Sequence, residues 1–303
     1  MSSTGLARRR RSSLMARPLL ITALLLGPQA AFAQAAAAGE AAVESAEPAR
    51  AKPSKIVLVG DSTTAVSSGW GPSFCGRRVM AQISCLNLAR GGRSTSSYRK
   101  EGYWQLALNE LATQGYGRAY VLIQFGHNDQ PGKPGRSTDL ATEFPANLRR
   151  YVEEARAIGA APVLVTPLTR RQFVGGRLDN SLEPWAQAIR DVARETGAPL
   201  IDLNRASAEA VAKLGPVESM RFAQRAPSEA AVAVARSGDT IASEPPPKAT
   251  VASPGRPADG PQGRVSIVYD HTHLGPEGAD YFSAMVSDLL ARAVPELRRS
   301  LLP

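Results

Sequence analysis

Five short apolar runs, at 56–59, 83–88, 120–124, 162–166 and 199–203, alternate with stretches of helical patterning at 72–81, 103–113, 141–158 and 184–196. This alternation constrains the fold more than any other feature of the chain. Runs so short and so apolar read as strands buried on both faces, and the helices between them supply the crossovers that parallel pairing needs. Gly159 and Gly197 stand where C-terminal helix caps belong. The pattern predicts an α/β domain built on a parallel, doubly wound sheet with helices on both faces.

The flanking sequence is of another kind. Arg8 to Arg11 and Arg17 form a basic n-region, 18–27 is a short apolar stretch, and Ala31-Phe32-Ala33 fits a small-x-small cleavage site. Residues 1–33 therefore read as a secretory signal peptide, with a mature chain expected to start near Gln34 and to work in the periplasm or outside the cell. Arg10-Arg11-Ser12-Ser13-Leu14 suits twin-arginine export as well as the general route. The apolar stretch is too short for a stable membrane anchor. Residues 34–54, rich in Ala, Glu and Pro, read as a flexible linker. One folded domain is expected over 55–295, interrupted at about 205–264 by an insertion. That insertion is alanine-rich and helical to about Arg236, then low in large apolar groups, with Glu244-Pro245-Pro246-Pro247 at its centre. It holds too little apolar material for a second core.

The formal net charge of +9 falls to +4 once the five leader arginines are set aside. What remains is scattered, with no basic stripe interleaved with aromatic residues, which argues against a nucleic-acid partner. A mild arginine excess suits an acidic substrate. The two cysteines, Cys75 and Cys85, admit either a disulfide, which export permits, or two buried thiols; their spacing does not decide.

Chemistry enters with Ile56-Val57-Leu58-Val59-Gly60-Asp61-Ser62-Thr63, which puts a serine in a tight turn at the carboxyl end of the first strand. Open α/β sheets hold their ligands there. A serine hydroxyl attacks only when a base takes its proton and a third group orients that base. Of the three histidines, His127, His271 and His273, the last follows Asp270 by three residues in Asp270-His271-Thr272-His273. In a turn entering a helix, that spacing folds the carboxylate onto Nδ1 and leaves Nε2 facing outward. Metal binding by Asp270, His271 and His273 is the competing chemistry, but no second cluster supplies further ligands, and no metal is expected. Donors for a developing oxyanion are offered by Asn87-Leu88-Ala89-Arg90-Gly91-Gly92-Arg93 after the second strand and by Gly126-His127-Asn128-Asp129 after the third.

Together these elements resemble the four sequence blocks of the SGNH (GDSL-type) hydrolases, in order and in placement along the strands. Within that superfamily the chain is similar to the rhamnogalacturonan acetylesterases. Gly69-Trp70-Gly71, Gly92-Arg93-Ser94, the run from Val121 to Gln130, Thr166-Pro167-Leu168-Thr169-Arg170-Arg171 and Asp270-His271-Thr272-His273 carry that likeness. The resemblance covers roughly 55–203 and 265–292. It implies a flavodoxin-like three-layer α/β/α sandwich with a five-stranded parallel sheet. It also implies Ser62 as nucleophile, His273 as base, Asp270 as its orienter, and an oxyanion hole from the Ser62 and Gly92 N–H groups and the Asn128 amide. His127 and Asp129 would position the loop that holds Asn128. No cofactor or metal is implied.

The implied reaction removes O-acetyl groups from an acidic polysaccharide, pectic rhamnogalacturonan, with the enzyme acting as a monomer. Arg93, Arg170 and Arg171 are candidates to grip a galacturonate carboxylate, because a guanidinium binds one bidentately. Trp70 is a candidate to stack on a sugar, with core packing as its alternative. Three other readings of the same blocks are an esterase of another acetylated glycan such as xylan, a lipase, and a non-catalytic carbohydrate-binding protein. The low aromatic content argues against the broad acyl pocket of a lipase.

Overall fold

β1 (Ser54–Gly60) is an inner strand, and all four of its aliphatic residues, Ile56 to Val59, are wholly buried. The computed structural model describes residues 52–241 and 269–303. The predicted leader, the linker up to residue 51 and the stretch 242–268 lie outside the described residues. After β1 come α1 (Gly71–Ser73), which runs into a wider helical turn at Phe74–Arg78, then β2 (Ile83–Asn87), α2 (Thr95–Lys100) and α3 (Tyr103–Leu111). β3 (Ala119–Gln124), α4 (Glu143–Ala157), β4 (Ala161–Val165) and a small hairpin of β5 (Phe173–Val174) and β6 (Arg177–Leu178) follow. The chain continues with α5 (Glu183–Thr196), β7 (Leu200–Ile201), α6 (Leu203–Glu218), α7 (Glu229–Arg236) and α8 (Pro276–Ala293).

The main sheet has the order β2-β1-β3-β4-β7 with every neighbouring pair parallel, a five-stranded sheet of flavodoxin-like order. Successive strand residues face opposite ways. Ile56, Leu58, Leu122, Val163, Val165 and Ile201 pack with Val211, Phe282, Val286 and Leu290 on one side. Val57, Val59, Val121, Ile123 and Leu164 pack with Trp104, Leu148, Tyr151 and Ile189 on the other. Each such side chain contributes about 1.5–3 kcal/mol relative to exposure. The three-layer α/β/α architecture follows from this alternation. Gly159 and Gly197 end α4 and α5 with positive φ, as expected of caps. Among the described residues no helix is long and apolar enough to cross a membrane.

The structure departs from the sequence expectations in five places. The strand begins at Ser54, which pairs with Ile83, so the expected linker reaches less far. The helix expected over 72–81 is short and wide, and there Cys75 bonds Cys85 of β2 with their Cα atoms 5.3 Å apart. The strand expected over 199–203 stops at Ile201. Asp202 is held by Arg190 and by the Thr166 hydroxyl, and α6 starts at Leu203. The first part of the expected insertion is core: α6 delivers Val211 and the next turn Phe222, both fully buried. Nor does the domain stop at 295, since Leu297 and Leu301 are buried and Leu301 bridges Val79.

Candidate active site

A parallel sheet of this order has its switch point at β1, where the chain leaves toward β2 on one side and β3 lies on the other. The loops after these three strands meet there. Asp61, the first residue beyond β1, caps its own turn: Oδ1 accepts from the Thr63 N–H and hydroxyl, both at 2.8 Å. Gln124, the last residue of β3, ties the same turn from beside. Its Oε1 accepts from the Trp70 Nε1–H at 2.7 Å and from the Thr64 hydroxyl. Asn87, the last residue of β2, donates from Nδ2 to the Thr64 carbonyl at 2.8 Å. The chain passes so close that a Cβ on Gly71 would lie 2.2 Å from Asn87 Nδ2, which explains a glycine in Gly69-Trp70-Gly71. Ser62 is thereby fixed at the top of β1 and half-buried.

The loop before α8 brings the other groups. Asp270 Oδ1 accepts from the Thr272 and His273 N–H groups, each at 2.7 Å. Its Oδ2 accepts from His273 Nδ1 at 2.5 Å, and His273 Nε2 lies 3.0 Å from Ser62 Oγ. Carboxylate, imidazole and hydroxyl stand in one line, with Nδ1–H donating to the acid and Nε2 free to accept from the serine. Burial pushes the Asp270 carboxyl up, but the hydrogen bond and charge of His273 and the two backbone donors outweigh it and hold it at about 2. His271 turns away from this line. Its Nε2 meets the Ile241 carbonyl at 2.8 Å, and its ring packs edge-on against Tyr269.

The proposed oxyanion donors lie on the loops that follow β2 and β3. A Cβ on Gly91 would lie 3.6 Å from Ser62 Cβ, so the loop after β2 runs directly against the serine, and Gly92 takes a left-handed φ of 78° within it. The Asn128 amide donates one N–H to the Arg93 carbonyl at 3.1 Å; an amide has a second to give. Asp129 locks this arrangement from beneath, accepting from Thr95 N–H and hydroxyl, the Thr138 hydroxyl and the Gly126 N–H. Burial pushes its carboxyl up to about 7 despite the Thr95 and Thr138 donors. His127 is sealed under the serine turn, with Nδ1 3.4 Å from Asp61 Oδ2.

Two of the residues considered for substrate binding are placed elsewhere by the structure. Trp70 is wholly buried in the core against Phe74 and presents no face to a sugar. Arg171 is only 2% exposed, and its guanidinium donates to the carbonyls of Asp270, Thr272 and His273. It braces the acid–base loop and has no access to a substrate carboxylate. Arg93 reaches the site rim but is paired with Glu101 at 2.7 Å. Arg170 is half-buried and held by Gln130 Oε1 and the Ser181 hydroxyl. Sequence reasoning assigned no role to Gln124. Its signal was a polar amide closing an otherwise apolar strand.

The fold and this constellation define a carboxylic ester hydrolase. Residues 58–214 match the profile of the GDSL-like lipase/acylhydrolase family, and the chain belongs to that family. It is similar to rhamnogalacturonan acetylesterase RhgT of Bacillus subtilis (strain 168), with 39% identity over 179 residues, covering 56% of this chain and 74% of the relative. It is also similar to the probable rhamnogalacturonan acetylesterase YesY of the same organism, with 34% identity over 151 residues, 50% of this chain and 66% of that one. Among solved structures, that of protein YXIM from Bacillus subtilis superposes with a TM-score of 0.55 at 21% identity, over 80% of this chain and 57% of that one.

Proposed function

We propose that the protein is a carbohydrate acetylesterase that removes O-acetyl groups from rhamnogalacturonan through an acyl-enzyme on Ser62. The observation that carries the mechanism is the unbroken line from Asp270 through His273 to Ser62 Oγ. Ser62 Oγ attacks the acetyl carbonyl as His273 Nε2 takes its proton, and the carbonyl oxygen gains the negative charge. The Ser62 and Gly92 N–H groups and the Asn128 amide donate to that oxygen. Collapse expels the sugar hydroxyl, which leaves with the proton from His273. Water then attacks the acetyl-serine by the same route and releases acetate. Asp270 holds the ring orientation and stabilises the imidazolium without itself taking the proton.

The polysaccharide assignment is supported by the names of the relatives, rhamnogalacturonan acetylesterases at 39% and 34% identity. Export to the periplasm or beyond is supported by the leader features of residues 1–33 and by the Cys75–Cys85 bond, since disulfides persist in oxidising compartments. The test is acetate release by the mature protein from acetylated rhamnogalacturonan and from acetylated xylan. Wild type should favour the former, and Ser62→Ala should abolish release with an unchanged unfolding temperature. Full activity in Ser62→Ala would overturn the mechanism, and release from xylan alone would overturn the substrate.

A further inference from the structure

The molecule neutralises most of its half-buried arginines. Arg93 pairs with Glu101, Arg99 with Glu154, Arg78 with Asp280, and Arg190 with both Glu183 and Asp202. At the mouth of the candidate site this habit stops. Lys133, Arg136 and Arg170 are each half-buried, and among the described residues none has a carboxylate within ion-pair distance. Arg170 is held in place by neutral acceptors, Gln130 Oε1 at 2.7 Å and Ser181 Oγ at 3.0 Å. Arg136 Nη1 donates to the Gly92 carbonyl at 3.2 Å, beside a proposed oxyanion donor. The Lys133 carbonyl accepts from the Arg136 and Ser137 N–H groups, and the Ser137 hydroxyl returns to the Gln130 carbonyl. The loop that carries two of these cations is therefore tied to the third through Gln130.

We infer that Lys133, Arg136 and Arg170 form a carboxylate-binding rim that takes a uronate carboxylate of the acidic polysaccharide being deacetylated. The inference rests on the function proposed above and names the part of that substrate the protein would recognise. A cavity of about 570 Å³ opens at the Arg136 end of the rim, lined also by Gly91, Gly92, Arg93 and Glu101. Arg93 is already matched there by Glu101; Arg136 is not. Burial first, then the charges of Arg170 and Arg136, push the Lys133 ammonium down, and Asp61 is the carboxylate that opposes them. That carboxylate is sealed against His127 and Thr63. Lys133 and Arg170 feel Asp61, and Arg170 also Asp179, without a close ion pair to either. Positive charge so incompletely matched is completed by an anion from outside, and a guanidinium meets a carboxylate through paired N–H groups.

The experiment compares acetylated rhamnogalacturonan with the same polymer after its carboxyl groups are reduced to primary alcohols. Wild type should show a lower KM on the native polymer. Lys133→Gln should raise that KM about 3- to 10-fold, and Lys133→Glu more, with kcat changing less than KM. On the reduced polymer wild type and variants should converge, and added salt should narrow the gap on the native one. The readout is the ratio of KM values on the two polymers, which a merely loosened fold would not shift. Equal KM values for wild type and Lys133→Glu on the native polymer would overturn the rim, as would carboxyl reduction without effect on wild type. The proposed function fails separately, if wild type deacetylates xylan but neither form of rhamnogalacturonan.

Discussion

Two aspartate–histidine pairs flank Ser62, and their differences separate the proposed base from a strut. In the pair before α8, Asp270 and His273 approach to 2.5 Å and the imidazole side chain is 35% exposed. In the pair beneath the turn, Asp61 and His127 stand 3.4 Å apart and are 0% and 4% exposed. The first distance is a strong charge-assisted hydrogen bond; the second is too long for a good one. Among the described residues Asp61 Oδ2 and both His127 ring nitrogens find no hydrogen-bond partner. Burial pushes the His127 imidazolium down, and Arg170 and His273 add to that against the pull of Asp61. A neutral, enclosed imidazole spans the loops after β1 and β3, whereas an accessible, oriented one faces the serine. Residue type does not distinguish them; reach and access do.

Replacing each histidine should break this symmetry most visibly. His273→Ala should lower kcat by about 10⁴-fold or more, because the serine then has no base. His127→Gln, which leaves the line intact, should cost about tenfold, through a loosened Asn128 loop. Steady-state rates on an acetylated substrate decide it, and equal losses would mean that the sealed pair takes part in proton transfer.

Arg171 sharpens the contrast, because among the described residues only the accessible pair has such a brace. Its buried guanidinium satisfies three carbonyls in the segment Asp270–His273. Arg171→Gln should lower kcat by about 10²-fold, since small misplacements of the reacting groups are that costly. Leaving buried carbonyls unsatisfied should also lower stability by about 2–4 kcal/mol, seen as a fall in the unfolding temperature. Because the role is positioning, kcat should fall on acidic polymer and neutral aryl acetate alike. A rise in KM confined to the acidic substrate would return Arg171 to substrate binding.

This also shows what a sequence discloses and what it does not. The strands were legible because a buried parallel sheet demands contiguous apolar runs, and Asp270 and His273 because their bond spans three residues. α2 was not, since Thr95-Ser96-Ser97 has poor helix propensity; the helix is set by a reciprocal cap between Ser94 and Ser97. α6 and the turn after it read as insertion because the alanine-rich pattern hides the two positions, Val211 and Phe222, that reach the core. Trp70 and Arg171 are ambiguous in the sequence for one reason. An arginine or tryptophan beside a catalytic block can face substrate or hold the block together, and burial alone separates the two roles. Their partners, Gln124 and the 270–273 carbonyls, lie 54 and about 100 residues away.

The finest separation of the two pairs is along the pH axis. Asp270 is depressed in the fold to about 2 from its ordinary 3.8, so the stability it contributes is present above about pH 4 and lost as pH falls through about 2. That amounts to about 2 kcal/mol, and Asp270→Asn should flatten the acid limb of the stability curve. His127 is also depressed, but it is a base. The unfolded chain begins to bind its proton below about pH 6.5 while the folded chain resists. Wild type and His127→Gln should therefore run parallel above about pH 6.5, and wild type should lose stability relative to the variant as pH falls below it. Thermal melts of both proteins from pH 8 to 4 would show the divergence. Curves that stay parallel throughout would mean that folding leaves the proton affinity of His127 unchanged. A wild type that gains on the variant as pH falls from 8 would mean that His127 carries its proton in the fold, as one half of an ion pair with Asp61.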